Sequence, residues 1–188
     1  MNVGIVVTTH YGDKYRPNGN ELIQNYCRSA ECLTYPFKLY VFDNGSEKQL
    51  DKLDYPYVNL TRVENQHLRG LSGTWNDGIK NAIKDGCDII LISNDDVELN
   101  DSVNTFISEI SLHQHNAIGI YGPLSDGVLG GVQKQSTTIK GSVELTNNRQ
   151  NMLNGFFYGF TKEFYNTFKM EDGNLIDEKN YPWGGNEE

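Results

Sequence analysis

Short apolar runs alternate with helix-like segments along most of the chain, and this alternation constrains the fold more than any other feature. Strand-like runs are predicted at residues 3–8, 37–42, 57–63, 88–93, 117–121 and 154–161. Helices are predicted at residues 21–33, 71–86, 102–113 and in a short segment that ends at Phe168. Strands that alternate with helices predict an α/β fold with a mostly parallel sheet and helices on both faces.

Composition narrows the class of protein. The chain has 188 residues, of which 37% are hydrophobic and 22% charged, as expected for one globular domain. Its net charge of −9 argues against a general nucleic-acid binder, because such a protein needs a basic face. No apolar stretch approaches the roughly 18 residues of a membrane span. We therefore expect no nucleic-acid partner and no membrane span.

The N-terminus and the cysteines indicate a compartment. Residues 1–7 lack the basic segment and cleavage site of a signal peptide. Cys27, Cys32 and Cys87 are odd in number and widely spaced, which argues against a disulfide framework or a zinc site. We therefore expect a cytoplasmic protein with free thiols.

Polar residues follow the predicted strand ends. These clusters are Thr8-Thr9-His10, Asp43-Asn44-Gly45-Ser46, Asn65 and Asn94-Asp95-Asp96. One such strand end is only a turn, because Asp and Asn favour turns. Several on the same carboxyl edge make a cleft, which is where open α/β sheets bind ligands. The hard oxygens of the last cluster suit Mg²⁺ or Mn²⁺ carrying a diphosphate.

In their order along the chain, these motifs resemble those of the GT-A glycosyltransferases, most closely the family 2 type. The similarity runs through residues 3–97 and resumes at residues 154–188. It implies a single GT-A (Rossmann-like) domain over residues 1–188, with a mixed, mainly parallel sheet flanked by helices. Residues 1–97 would bind the nucleotide sugar, and residues 98–188 the acceptor. The chain ends inside the family's last motif, so we expect either a minimal member or a fragment truncated at its C-terminus.

The resemblance also implies the donor site. The residues that match the family's nucleotide and diphosphate-sugar positions are Thr8, Thr9, His10, Asp43, Asn65, Gly73, Asn76, Asn94 and Asp95. Asp43 would contact the base or ribose. The family's metal motif is Asp-X-Asp and here has an amide, Asn94, in place of its first acid. Asp96 is therefore the expected ligand of a Mn²⁺ or Mg²⁺ cofactor.

The acceptor side of the site is expected near the end of the chain. Asn154 and Gly155 match the strand that lines the family's acceptor pocket, and Trp183 could stack on a sugar face. Glu187 is the first choice for the base that removes the acceptor's proton, with Glu188 as the alternative. The implied function is a hexosyltransferase-type transfer, with inversion, from a nucleotide-diphosphate sugar to a saccharide or another hydroxyl acceptor.

Two other functions stay open at this point. A sugar nucleotidyltransferase normally carries a glycine-rich basic loop after its first strand. Here residues 8–13 lack that pattern, although Lys14 and Arg16 are near. A non-catalytic nucleotide-sugar-binding domain is favoured by Asn94 and by the end of the sequence at Glu188.

Overall fold

A five-stranded sheet organises the protein in this computed structural model, which describes residues 1–63, 69–113, 119–125, 133, 153 and 155–182. The strands are β1 (Val3–Thr9), β2 (Phe37–Asn44), β3 (Val58–Val63), β4 (Ile89–Asn94) and β5 (Phe157–Thr161). Their order is β3-β2-β1-β4-β5, and the first four are parallel while β5 runs antiparallel to β4. The predicted single α/β domain with a mixed, mainly parallel sheet is confirmed.

The helices cover both faces of this sheet. They are α1 (Gly19–Ser29), α2 (Gly70–Lys84), α3 (Ser102–His113) and α4 (Lys162–Phe168). One apolar core joins β1 and β4 to α1 and α3, and a second joins the opposite face to α2 and α4. The central strands are continuous apolar runs because both of their faces are buried. Burying each Ile or Val there contributes about 1.5–3 kcal/mol.

Helix α2 lies close against the sheet because Gly78 has no side chain. A Cβ atom at this position would come within 2.3 Å of Val6 Cγ1 and 2.9 Å of Phe42 Cε2. Both distances are shorter than the contacts that Cβ atoms make in packed proteins. This close packing holds the first turn of α2 near the carboxyl ends of β1 and β2.

Two sequence predictions differ from the structure. The predicted helix 21–33 is α-helical only to Ser29, and a 3₁₀ turn follows at Ala30–Cys32. Of the predicted strand 117–121, residues 117–118 lie outside the described residues, and Tyr121 pairs with Gly159 in an isolated bridge outside the five strands. The edge of β4 pairs with antiparallel β5 instead of another parallel strand. None of the helices in the described ranges combines the length and apolarity that a membrane crossing needs.

Candidate active site

Three of the polar clusters predicted from the sequence meet at the carboxyl edge of the sheet. Thr9 lies opposite Asp43 across the β1–β2 pair, and Thr8 lies opposite Asn94 across the β1–β4 pair. His10 follows directly, and its Nδ1 lies 3.1 Å from the Asn44 carbonyl oxygen. The parallel register therefore creates the predicted cleft edge from residues that are far apart in sequence.

Beyond β4, Asp95 and Asp96 share the guanidinium group of Arg16. Arg16 Nη2 donates to Asp95 Oδ1, and Arg16 Nη1 donates to Asp96 Oδ2 at 3.3 Å. The other oxygen of Asp95 accepts the Thr9 hydroxyl at 2.7 Å. The Asp95 side chain is fully buried, whereas 47% of the Asp96 side chain is exposed. We call these three charged side chains, Arg16, Asp95 and Asp96, the acid corner.

Burial makes the charge of Asp95 costly. Loss of solvent raises the pKa of this carboxyl group, and the nearby charge of Asp96 raises it further. The Thr9 hydrogen bond and the positive charge of Arg16 oppose this rise without cancelling it. Thr9 and Arg16 therefore both favour the ionised form of Asp95, while Asp96 is the acid that reaches solvent.

Asp43 closes the turn at the end of β2. Its Oδ1 accepts the Ser46 N–H at 3.1 Å, and Gly45 adopts a φ of 66°, which the turn needs. Among the described residues, the partner of its Oδ2 is Arg62 Nη1, at a long hydrogen-bond and ion-pair distance of 3.5 Å. The turn interpretation and the binding interpretation are thus compatible, because one oxygen makes the turn and the other is weakly held.

A buried acceptor lies next to Asp43. Asn44 is 8% exposed, and its Oδ1 has no hydrogen-bond partner among the described residues. The backbone carbonyl of the same residue bonds His10. An unsatisfied buried acceptor is costly. This oxygen has almost no exposed surface, so we assign it no contact with a ligand.

The residues of the predicted metal site fit a divalent ion only in part. Asp95 is not free to bind it, because Thr9 and Arg16 take its two oxygens. Asp96 is accessible, and Asn94 is half-buried beside it. The described part of the chain contains no group of three or more His, Cys, Asp or Glu side chains placed to hold a metal ion. These donors suit an ion held by one carboxylate and by the phosphates of a substrate, as Mg²⁺ often is.

The start of β5 lies beside the acid corner. The Asn94 N–H donates to the Phe156 carbonyl oxygen at 2.9 Å, and Gly155 is buried just before it. A cavity of about 190 Å³ opens here; Val97, Asn100, Phe106, Pro123 and Phe156 are among its lining residues. The predicted acceptor residue Gly155 is therefore close to the predicted metal ligands.

Asn76 holds a distant segment. It is fully buried, and its Oδ1 accepts the N–H groups of Leu175 and Ile176 at 3.1 and 3.0 Å. Its Nδ2 donates to the Ile176 carbonyl at 2.9 Å and to Glu178 Oε2 at 3.0 Å. Its amide therefore makes four hydrogen bonds within the protein, and the expected contact of Asn76 with the diphosphate sugar stays a prediction.

Arg69 fastens the same segment, and sequence reasoning missed it. Its guanidinium donates to both oxygens of Glu178 at 2.9 and 3.0 Å, and to both oxygens of Asp77 at 2.8 and 3.0 Å. Gly73 makes room for it, because a Cβ there would come within 2.6 Å of Arg69 Cβ. The Arg69 hydrogen bond lowers the pKa of Glu178 against the effect of burial. We call Arg69, Asp77, Glu178 and Asn76 the Arg69 clamp.

The first turn of α2 also holds the last described residues. Ser72 N donates to the Pro182 carbonyl at 3.0 Å, and the Ser72 hydroxyl donates to the Tyr181 carbonyl. Gly70 has a φ of 63°, and a Cβ there would collide with the Pro182 carbonyl oxygen. The hydroxyl oxygens of Thr74 and Thr8 are 3.3 Å apart. The start of α2 therefore adjoins the carboxyl edge of the sheet.

Five predicted site residues lie outside the described residues. They are Asn65, Asn154, Trp183, Glu187 and Glu188. Their roles stay predictions. The structure places Pro182, directly before Trp183 in the sequence, next to the edge that carries the other candidates.

No protein-family model matches the chain, and no curated protein matches it. Solved structures do match. S. aureus TarS 1-349 is 17% identical with a TM-score of 0.62, and the match covers 93% of this chain and 53% of that one. The same fragment in complex with UDP is 17% identical with a TM-score of 0.61, and the match covers 97% and 54% of the two chains.

A third match is the mannosyltransferase PcManGT from Pyrobaculum calidifontis in complex with GDP-Man and Mn²⁺. It is 16% identical with a TM-score of 0.50, and the match covers 86% of this chain and 44% of that one. The chain therefore spans about half the length of the solved chains it matches. At these identities the likeness shows the fold, and the fold is that of the GT-A glycosyltransferases. The fold implied by the sequence motifs is confirmed.

Proposed function

We propose that the chain is a glycosyltransferase domain that moves a sugar from a nucleotide-diphosphate sugar to a hydroxyl acceptor with inversion, in a hexosyltransferase-type reaction. The observation that carries this proposal is the meeting of three polar clusters at the carboxyl edge of a GT-A sheet. The Arg69 clamp fastens residues 175–178 to α2, and Thr74 of the same helix lies 3.3 Å from Thr8 at that edge. We assign donor binding to residues 1–97 and acceptor binding to residues 98–188.

The proposed donor site uses the ends of β1 and β2. Asp43 would accept a hydrogen bond from the base or ribose through its weakly held Oδ2. Thr8 and His10 line the same edge, and Thr9 supports Asp95. Neighbours of this fold were solved with UDP-GlcNAc, UDP or GDP-Man, which supports a nucleotide-sugar donor.

The proposed cofactor is Mn²⁺ or Mg²⁺. Asp96 would hold it, with Asn94 contributing a carbonyl oxygen or a bound water. When bound, the ion would neutralise negative charge on the departing diphosphate. The structure of PcManGT with Mn²⁺ supports this choice.

The proposed reaction is a single displacement. Glu187, or Glu188 in its place, would accept the proton from the acceptor hydroxyl as that oxygen bonds to the anomeric carbon. The bond from this carbon to the diphosphate breaks in the same step, and the diphosphate leaves with its electron pair. Trp183, Asn154 and Gly155 would orient the acceptor. A cytoplasmic location belongs to this proposal and is supported by three free cysteines.

Donor binding and turnover test the proposal. UDP-glucose, UDP-GlcNAc and GDP-mannose are each added with Mn²⁺, and the shift in melting temperature and the release of nucleotide are measured. We expect one donor to stabilise the protein and to be consumed. Asp96→Ala and Glu187→Gln should lose turnover, whereas their exposed controls Asp54→Ala and Glu171→Gln should keep it. Full turnover in Asp96→Ala and Glu187→Gln would refute the site assignment.

A non-catalytic nucleotide-sugar-binding domain is the second candidate. The observation that favours it is that Arg16 already occupies both acids of the corner. Calorimetric binding of a donor without any release of nucleotide, with acceptors and Mn²⁺ present, would support this candidate over the transferase.

A further inference from the structure

The loop between β1 and α1 holds Arg16 in place through its backbone. Arg16 and Gly12 form an antiparallel bridge with hydrogen bonds of 3.3 and 3.4 Å, and the Arg16 carbonyl accepts the Gly19 N–H at 3.0 Å. Tyr11 bonds the Ser46 hydroxyl at 2.8 Å and the Lys48 N–H at 3.1 Å. The loop is thus tied to α1 and to the turn after β2. Arg16 is therefore presented to the acid corner by a folded loop.

The guanidinium group of Arg16 lies between two neighbouring carboxylates, where a positive charge offsets their repulsion. It contacts Asp95, which is buried, and Asp96, which is half exposed. Arg16 neutralises only one of the two carboxylate charges, so the acid corner has a net charge of about −1 when all three groups are ionised. That charge attracts a further cation. A divalent ion bound to Asp96 would, however, lie within a few ångströms of the guanidinium and be repelled by it.

We propose that Arg16 is the resident cation of the acid corner and that it competes with the divalent metal for Asp96. Metal binding displaces Arg16 Nη1 from Asp96 Oδ2, while Nη2 keeps its hydrogen bond to Asp95. Arg16 therefore sets the affinity for metal and makes the metal exchangeable when no donor phosphate is present. This inference rests on the proposed metal-assisted sugar transfer, because Asp96 is taken as the metal ligand.

The geometry gives the two acids different roles in this exchange. Asp95 has no exposed oxygen and bonds Thr9 as well as Arg16, so it stays with the protein in both states. Asp96 makes one hydrogen bond of 3.3 Å to Arg16, which is long for a charge-assisted contact. The weaker contact is the one that the metal replaces.

Direct metal binding tests the competition. Mn²⁺ is titrated into the full chain without donor, and free Mn²⁺ is measured by electron paramagnetic resonance. We expect Arg16→Gln to bind Mn²⁺ roughly tenfold more tightly than the wild type, because a like charge has been removed. Arg16→Lys keeps the charge and should stay within about threefold of the wild type. Arg28→Gln, an exposed arginine on α1, is the matched control and should not change binding.

If Arg16→Gln misfolds, the same comparison is made in a protein that already carries Asp95→Asn. Asp95→Asn removes the buried charge that needs Arg16, so the Asp95→Asn/Arg16→Gln double variant is expected to fold. The double variant should bind Mn²⁺ more tightly than Asp95→Asn alone. Asp96→Asn should lose binding in every background. Circular dichroism confirms the fold of each variant.

The outcomes separate this inference from the proposed function. Equal or weaker Mn²⁺ binding after loss of Arg16, in both backgrounds, overturns the competition even if the wild type transfers sugar. Absence of Mn²⁺ binding in all variants overturns it as well. Tighter binding after loss of Arg16 supports it even if no donor is consumed, in which case only the transfer function fails.

Discussion

The acid corner and the Arg69 clamp each join one arginine to two carboxylates, yet they hold them differently. Arg69 makes two hydrogen bonds to Glu178 and two to Asp77. Arg16 makes one to Asp95 and one to Asp96. In the clamp, the planar fork of the guanidinium is matched to both acids. In the corner, an acid that is half exposed is held by a single 3.3 Å contact.

The difference shows how the same charges can serve structure in one place and binding in another. The clamp connects α2 to residues 175–178, and Asn76 completes it with four hydrogen bonds. It leaves little capacity for a ligand. The corner connects the β1–α1 loop to the end of β4 and leaves Asp96 accessible. We therefore expect the clamp to serve stability alone. In the corner we expect the buried Arg16–Asp95 pair to serve stability and the exposed Asp96 to serve ligand binding.

The largest effect is expected for Asn76→Ala. It removes the partner of the Leu175 and Ile176 N–H groups, and unsatisfied buried groups cost about 1–3 kcal/mol each. We expect the free energy of unfolding to fall by about 3 kcal/mol in urea denaturation. The control is Asn81→Ala on the exposed side of the same helix, which should change it by less than about 0.5 kcal/mol. A loss under about 1 kcal/mol for Asn76→Ala would contradict the clamp.

A double-mutant cycle compares the two arginines directly. Replacing Arg16 by Met leaves the buried Asp95 charge with only a hydroxyl partner, so the Arg16–Asp95 coupling should be about 1–2 kcal/mol. The Arg69–Asp77 pair is more exposed, and we expect a coupling below about 1 kcal/mol. Urea denaturation of the single and double variants measures both values. A larger coupling for Arg69–Asp77 would reverse the comparison.

The sequence predicted the features whose residues are contiguous and missed contacts between residues that are far apart in the chain. The strands and their polar ends were predictable because apolar runs and turn residues are contiguous in sequence. Arg16 was noticed only as a basic residue near the first strand, and its two acids are 79 and 80 positions away. Arg69 had no signal, because Glu178 is 109 positions away. Asn76 was predicted at the donor, whereas its hydrogen bonds to residues 175–178 had no sequence signal because those residues are 99 to 102 positions away.

The pH dependence of stability tests the Arg69 clamp with a smaller expected effect. Arg69 lowers the pKa of Glu178 below its unfolded value of about 4.5. A depressed pKa contributes stability above the unfolded pKa, and that contribution is lost as the pH falls through the folded pKa. The wild type should therefore lose its advantage over Glu178→Gln on acidification below about pH 4.5, by less than about 1 kcal/mol because the pair is partly exposed. Denaturation curves from pH 7 to pH 3 measure it.

The background variant Arg69→Gln identifies the cause of this dependence. Without the guanidinium, the change in stability that Glu178→Gln produces should vary less with pH. An undiminished pH dependence in the Arg69→Gln background would assign it to another group.

The smallest effect on stability, and the sharpest separation of the two regions, is expected for Asp96→Asn. This side chain is half exposed, adjoins another acid and makes one long hydrogen bond. Neutralising it should therefore change the free energy of unfolding by less than about 0.5 kcal/mol. The same variant should lose the extra thermal stabilisation that Mn²⁺ gives the wild type in the presence of a nucleotide sugar.

Asp77→Asn in the clamp is the matched control and should show the opposite behaviour: a measurable loss of stability and an unchanged response to Mn²⁺. If Asp96→Asn instead unfolds readily or keeps the Mn²⁺ response, Asp96 belongs to the structure of the corner and the metal must be held elsewhere.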